Sequence, residues 1–354
     1  MVSQYIKDSE YIKSEFDMEF VNISTSRKMS EIGKNNPVLL LKKLLRFLGS
    51  YLQCIGMLIA HKHNLCYLAI TCHGIGFIKD MPFVLLCKMF GRKVVIHQHN
   101  KGMSADIDRA PYKWLIPFSY KNTKVILLSW RLYPDIEKVV KKENVMVCPN
   151  GIPPLEEVSK GSEFMKVSNR VPRLLYLSNL IVSKGVYVLL DACKILKEKG
   201  VAFICDFVGG ESKEISREDF NTAVSERGLD EMAVYHGPKY GADKELFWNQ
   251  ADVFVFPTYY YNECFPLVLL EAMQHGVACV STDEGGIPDI IEDSKTGYVC
   301  QKQNAEDLAS KLEMLIQDQL LRETMGRAGY EKYNREYTLR CFEENMLAVL
   351  KGLL

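Results

Sequence analysis

The chain lacks the signatures of several large enzyme classes. It has no Gly-x-x-x-x-Gly-Lys-Ser/Thr phosphate loop, no complete Gly-x-Gly-x-x-Gly fingerprint and no nucleophile elbow, so kinase, dehydrogenase and serine-hydrolase readings lose their usual support. Paired metal-ligand spacing is missing too. The eleven cysteines are scattered, with no Cys-x-x-Cys, which predicts free thiols in a reducing cytosol and no structural metal. No sign of charge dominates: 44 basic and 44 acidic residues cancel, which argues against a nucleic-acid binder working through bulk electrostatics. The N-terminus, MVSQYIKDSEYIKSEFDMEF, has no apolar core of signal-peptide length. The longest apolar segment, 37–60, is interrupted by Lys42, Lys43 and Arg46, which speaks against a membrane span. Two readings of that segment stand: a partly buried helix of an α/β domain, and a basic amphipathic helix resting on an anionic bilayer.

What is present is a long alternation of short apolar runs and helical stretches. With 354 residues, 47% of them hydrophobic, there is material for two ordinary domains. In the first half MEFVNIS (strand-like to Ile23), CYLAIT, KVVIHQ, KVILLS and NVMVCP read as strands. Between them 37–61, 82–90, 112–120 and 133–142 read as helices. The segment 151–173, with three prolines and mixed charge, reads as a linker. A second alternation follows with RLLYLS, AFICDFVGG, AVYHG, DVFVFP and ACVST. The chain is helical by pattern from Asn304 onward. These runs predict an α/β protein of two doubly wound, Rossmann-like domains facing a cleft, at 1–160 and 161–335, with 336–354 as a helix packing back toward the first. Ligands of such sheets sit at the carboxyl ends of the strands.

The segment from Asp252 to Gly297 is the richest in chemistry. It reads as strand, polar loop, helix, strand, Gly-Gly turn and helix. Pro266 suits a first helical turn, and the amides around it (Cys264, Phe265, Leu267) suit an anion such as a diphosphate, backed by the helix dipole. Glu263 in the loop and Glu271 in the helix repel an anion and are better read as acceptors for sugar hydroxyls. Lys184-Gly185, before another helix, supplies a point charge that can reach such an anion; alone it reads more readily as a solvated loop lysine, and its place in the same half as the Glu263 loop reverses that. Gly209 and the Gly285-Gly286 turn let backbone approach a ligand, though each alone is an ordinary tight turn. In the first half His99 ends the strand KVVIHQ and faces the expected cleft, whereas His97 points inward. His73 ends CYLAIT similarly, and for each histidine a structural role competes with a functional one.

Together these residues resemble the family 4 retaining glycosyltransferases of GT-B fold. The matching segments are HQHN (97–100), LLS (127–129), CPNGI (148–152), SNLIVSKG (178–185), ECFPLVLLEAM (263–273) and GGIPDIIEDSKTGYV (285–299), and the resemblance covers nearly the whole chain and is strongest in the second half. The resemblance implies a nucleotide-sugar donor in the second domain. Lys184 then contacts the diphosphate and Glu271 the ribose. Glu263, with the amides of Cys264 to Leu267, holds the transferred sugar, and His99 reaches it from the first domain. It also implies retention at the anomeric carbon, no metal, no cofactor beyond the substrate itself, and a glycan or lipid-linked acceptor in surface polysaccharide biosynthesis. The expected location is the cytoplasm, with an anionic membrane surface as a further partner and no nucleic acid.

Two departures from the family stand out. Asn179 replaces the usual arginine beside the diphosphate. The opening strand and Gly-rich loop have no counterpart, since MVSQYIKDSEYI reads as the helix that should follow them. The expectation is therefore an internal or misassigned start at Met1 and a first domain short of its first strand. Two further readings stay open: an inactive nucleotide-sugar-binding homologue, and a nucleotide-sugar epimerase on the same fold.

Overall fold

The computed structural model describes residues 2–26, 36–155 and 170–354. The chain forms two compact units, one of Met1–Leu127, Tyr133–Cys148 and Glu343–Leu354, the other of Leu128–Leu132 and Pro149–Phe342. Most of the linker read at 151–173 lies outside the described residues.

The first unit opens with helices α1 (Val2–Asp8), α2 (Glu10–Lys13) and α3 (Pro37–Ala60), followed by β1 (Leu65–Ile70), α4 (Gly74–Met89) and β2 (Lys93–Gln98). Next come α5 (Met103–Asp106), α6 (Tyr112–Tyr120), β3 (Lys124–Leu127) and β4 (Val145–Val147). The four strands form a parallel sheet in the order β1-β2-β3-β4. Strand β2 is buried from Val94 to Gln98, so its near-continuous apolar run is what a central parallel strand requires. Helix α3 starts where Asn36 caps it, accepting the Leu39 N–H at 2.7 Å, with Pro37 in the first turn.

Three local readings are corrected. MEFVNIS forms no strand: Asn22 takes the Ser24 N–H on its side chain at 3.0 Å and the Ser50 hydroxyl on its carbonyl at 2.8 Å, so local and tertiary bonds replace a ladder. The stretch 133–142 is not a regular helix but a 3₁₀ turn at Trp130–Asp135 followed by turns; Pro134 restrains Tyr133, and the Asp135 carboxylate is engaged elsewhere. Helix α4 begins at Gly74, well before Pro82, because the buried period of Phe77, Asp80, Phe83, Val84 and Cys87 runs through the proline.

In the second unit the order is β5 (Arg173–Leu177), α7 (Val186–Glu198), β6 (Ile204–Val208), α8 (Arg217–Glu226), β7 (Ala233–Tyr235), α9 (Ala242–Gln250) and β8 (Val253–Phe256). Then follow α10 (Leu267–Gln274), β9 (Ala278–Thr282), α11 (Ile287–Ile290), β10 (Gly297–Cys300), α12 (Ala305–Gln317) and α13 (Gln319–Glu336), and the last helix, α14 (Leu339–Lys351), belongs to the first unit from Glu343 onward. Its six parallel strands lie in the order β10-β9-β8-β5-β6-β7. The chain thus builds outward from β5 in one direction through β6 and β7, then returns to the other side of β5 with β8. Between β5 and β8 the winding reverses, and loops leaving the carboxyl ends of these two strands diverge there. Strands β8 and β9 are buried along their whole length. Strand β10 was not foreseen, being four residues of mixed character after a glycine.

Candidate functional site

The reversal between β5 and β8 brings two separate sequence features together. From β5 the chain runs to a 3₁₀ turn at Val182–Lys184 and into α7 through Gly185, whose φ is +85°. A Cβ at Gly185 would lie 2.2 Å from the Pro257 carbonyl oxygen, so only glycine lets this turn rest on the exit of β8. The contact is fixed by the Tyr259 N–H donating to the Ser183 carbonyl at 2.8 Å. As a result Lys184 Nζ donates to Glu263 Oε2. The ammonium stands 4.5 Å from the Tyr260 ring centroid and 5.3 Å from that of Phe256. The two charged side chains are only 16% and 12% exposed. Sequence reading gave Lys184 and Glu263 different ligand groups; in the structure they are each other's partner.

The loop that carries Glu263 is held from its other side by the Gly-Gly turn. Gly285 has φ +56°, and a Cβ there would lie 2.3 Å from the Glu263 carbonyl oxygen. The Gly286 N–H donates to the Cys264 carbonyl at 2.6 Å. Cys264 and Phe265 are buried beneath. Pro266 is the N-cap of α10, with ψ 117°, one position outside the first turn expected of it. Leu269 N–H is the amide that closes back to the Pro266 carbonyl, at 3.2 Å. Leu267 and Val268 therefore sit in the first turn, whose amides have no acceptor within the helix. The short helix α11 is anchored through Asp289, whose carboxylate accepts from the Ser129 hydroxyl and from Arg131 Nε at 2.8 Å. The Asp289 carbonyl accepts from Lys332 Nζ at 2.6 Å and the Tyr337 hydroxyl at 2.9 Å.

Glu271 has a partner that sequence reading missed. Lys244 of α9 donates to both carboxylate oxygens, each at 3.0 Å. His275 stands by the same helix end, with Nδ1 2.7 Å from the Glu271 carbonyl oxygen and Nε2 2.8 Å from a Glu245 carboxylate oxygen. No spacing in the sequence signals the Lys244 pair, since its members come from different helices. Asn179 turns inward: its Oδ1 accepts the Gly210 N–H at 3.0 Å, tying the loop after β5 to the loop after β6 that holds Gly209.

In the first unit His99 lies just beyond β2. His97 is fully buried, with Nδ1 2.6 Å from the Tyr67 hydroxyl, and the two imidazole rings are 4.1 Å apart. Burial pushes the His99 pKa down to about 4. Burial and then the neighbouring His99 push His97 well below the ordinary range. Both rings are neutral at neutral pH, and Nε2 of each has no hydrogen-bond partner among the described residues. The loop that follows is firmly set. Asp135 accepts the amides of Gly102, Met103 and Ser104 at 2.9–3.0 Å, and Asn100 Oδ1 accepts the Cys72 N–H at 3.2 Å. His73 is the N-cap of α4 without a side-chain capping bond. No group of three or more His, Cys, Asp or Glu among the described residues is arranged to hold a metal ion.

Residues 163–332 match the family described as Glycosyl transferases group 1. The chain is 27% identical over 179 residues to the capsular polysaccharide biosynthesis glycosyltransferase CapM of Staphylococcus aureus, covering 51% of this chain and 46% of that protein. It is 30% identical over 185 residues to the amylovoran biosynthesis glycosyltransferase AmsK of Erwinia amylovora, covering 51% and 45%. The matches thus span less than half the length of these relatives. In three dimensions the chain is similar to Anabaena HepE in complex with UDP, with a TM-score of 0.70 at 16% identity over 90% of this chain and 85% of that one. A glycosyltransferase from Rickettsia africae gives a TM-score of 0.69 at 18% identity over 91% and 84%. At such identities the likeness speaks for the fold, and the α/β fold with two parallel sheets is shared along nearly the whole chain.

Proposed function

We propose that this chain, whose residues 163–332 match the group 1 glycosyl transferases, is a member of that family and moves a sugar from a nucleotide-sugar donor to a glycan or lipid-linked acceptor in polysaccharide biosynthesis. The reaction retains the anomeric configuration and uses neither metal nor cofactor; the nucleotide-sugar is substrate. Two relatives are named for capsular polysaccharide and amylovoran biosynthesis. Structural neighbours hold UDP and UDP-glucose.

The observation that carries the reading is the Lys184–Glu263 pair at the reversal of the second sheet. A nucleoside diphosphate leaves only when its growing charge meets preorganised donors. Lys184, with the first-turn amides of α10, supplies them. Glu263 compensates the largely buried ammonium, which spares it an unpaired charge. When the diphosphate takes the ammonium, the Glu263 carboxylate is released to accept hydrogen bonds from the transferred sugar. Glu271 accepts the ribose hydroxyls, while Gly209, Gly285, Gly286, Cys264, Phe265 and Pro266 shape the backbone against the donor. Asn179 acts through the loop it braces, and His99 serves the sugar as a neutral imidazole.

Replacing Glu263 by Ala tests this division. Transfer should fall by about 10²-fold or more, the range seen when a single preorganised group is lost. The circular-dichroism spectrum should be unchanged. A Glu263→Ala enzyme as active as the parent overturns the reading.

A further inference from the structure

Three thiols that the transfer reaction does not use meet in the first unit. Helices α3 and α4 both run against the strand between them, β1, and so lie side by side in the same direction. Arg92, just past the end of α4, ties the two ends together: its Nη2 donates to the Leu58 and His61 carbonyls at the end of α3, both at 3.2 Å. Further back, Phe47 and Tyr51 of α3 meet Phe83 of α4 edge-on at 5.5 and 5.6 Å. Cys54 follows Tyr51 by three residues and Cys87 follows Phe83 by four. Each thus stands one turn nearer its helix end, on the contacting face. Cys66 is the second residue of β1, whose start lies at this same end. The Cys87 thiol is accordingly in hydrogen-bond contact with those of both Cys54 and Cys66.

The three are not equivalent. Cys87 is buried, whereas Cys54 and Cys66 are partly exposed and within reach of a small solute. Arg92 sits beside Cys66, and its Nε–H is buried with no hydrogen-bond partner among the described residues. A thiolate at Cys66 supplies the negative charge that this donor lacks. The hydrogen bond from Cys87 first, and the Arg92 guanidinium with it, hold the Cys66 thiol below its ordinary pKa against burial and the neighbouring Cys54. Thiolates are the form that hydroperoxides oxidise, and a second thiol in contact captures the product as a disulfide. We propose that Cys66 and Cys87 form a peroxide-reactive thiol pair. The Cys66 thiolate attacks the terminal oxygen of a hydroperoxide, so that the S–O bond forms and the O–O bond breaks. The departing alkoxide takes up the proton that Cys66 gave to solvent. The Cys87 sulfur then attacks the sulfenic sulfur; the S–S bond forms, the S–O bond breaks, and the hydroxyl leaves with the Cys87 proton as water. Two electrons pass from the two thiols to the peroxide, which ends as alcohol and water. This goes beyond the donor reading and does not depend on it.

The test is oxidation of the full chain by tert-butyl hydroperoxide, then alkylation and non-reducing peptide mapping by mass spectrometry. A Cys66–Cys87 disulfide should form and be reversed by dithiothreitol. Cys341, also partly exposed but with its S–H on the Arg335 carbonyl at 3.4 Å, should stay free over the same interval. Cys66→Ser should slow disulfide formation about tenfold, because the reactive thiolate is gone. Cys87→Ser should let the sulfenic acid persist at Cys66, where dimedone traps it. If the Cys87 variant misfolds by circular dichroism, the parent's peptide map and Cys66→Ser decide. A parent disulfide that joins Cys54 to Cys87 overturns the role given to Cys66. Oxidation of Cys341 as fast as that of Cys66 overturns the inference, and so does the absence of any linkage to Cys87.

Discussion

Lys244 illustrates what a single residue contributes that no motif announces. Its ammonium bridges both oxygens of Glu271, and each group is about a quarter exposed, so the pair is partly desolvated. If Glu271 presents its oxygens to ribose hydroxyls, as proposed, it is better aimed when one cation fixes its plane. Removing that cation leaves the donor bound more loosely in ground and transition states alike. Lys244→Ala is therefore expected to raise the donor KM about tenfold with kcat little changed. Lys244→Arg should restore most of the loss; a fall in kcat at unchanged KM would contradict the role. Glu263 and Lys184 drew attention in the sequence because each lies just before a helix start, and Glu271 because it follows Glu263 in one recognisable run. Lys244 was not, because pairing between surface side chains of different helices leaves no trace in local spacing. The mutual pairing of Lys184 and Glu263 was hidden for the same reason, since it depends on where two distant loops are set down.

At the scale of elements, the site is two turns pressed on one loop. Gly185 rests on Pro257 and Gly285 on Glu263, and at both positions a side chain meets carbonyl oxygen in a left-handed backbone. Gly185→Ala should cost about 1–3 kcal/mol through strain and displacement of the turn, seen as a lowered thermal midpoint. It should also cut donor affinity, because Lys184 moves with the turn; calorimetric titration with UDP is the measurement. Full UDP affinity in Gly185→Ala would separate the turn from the site. Most elements could be read in advance because parallel strands buried on both faces give uninterrupted apolar runs, as in β2, β8 and β9. The failures have local causes. The MEFVNIS stretch carries strand-like residues, but Asn22 and Ser24 satisfy its backbone locally, and β10 is too short for a period to register. The strand order, which creates the reversal between β5 and β8, is a property of crossovers that no segment carries alone.

Across the whole molecule, the two units hold depressed titratable groups of different ordinary pKa, imidazoles in one and carboxylates in the other, so acid should act on them in different pH windows. In the first unit burial depresses both imidazoles, His99 to about 4 from an ordinary 6.5. Between those values the unfolded chain binds protons that the folded unit refuses. The stability these histidines contribute is complete above pH 6.5 and is lost as pH falls toward 4, on the order of 3 kcal/mol for His99. In the second unit Asp206 is buried, which by itself raises its pKa. Hydrogen bonds from His236 at 2.7 Å and from Arg173 at 2.7 and 2.8 Å outweigh this and hold it below the ordinary 3.8. Glu292 is likewise held low, by the hydrogen bond from Lys295 first, with burial opposing it and Lys332 reinforcing it. A depressed carboxylate contributes stability that is complete above its unfolded value and is lost only as pH falls through the folded one. The first unit should therefore loosen between pH 6.5 and 4 while the second still holds. Hydrogen exchange read peptide by peptide, corrected for intrinsic pH dependence, should show β2 losing protection in that window while β6 keeps it. The variant His99→Asn, whose side chain does not titrate, should reduce the β2 response and leave the part that buried His97 contributes, and Asp206→Asn should lower β6 protection at every pH above 4. Simultaneous loss of protection in both strands would mean that the units unfold as one, and that these buried groups do not set their acid limits.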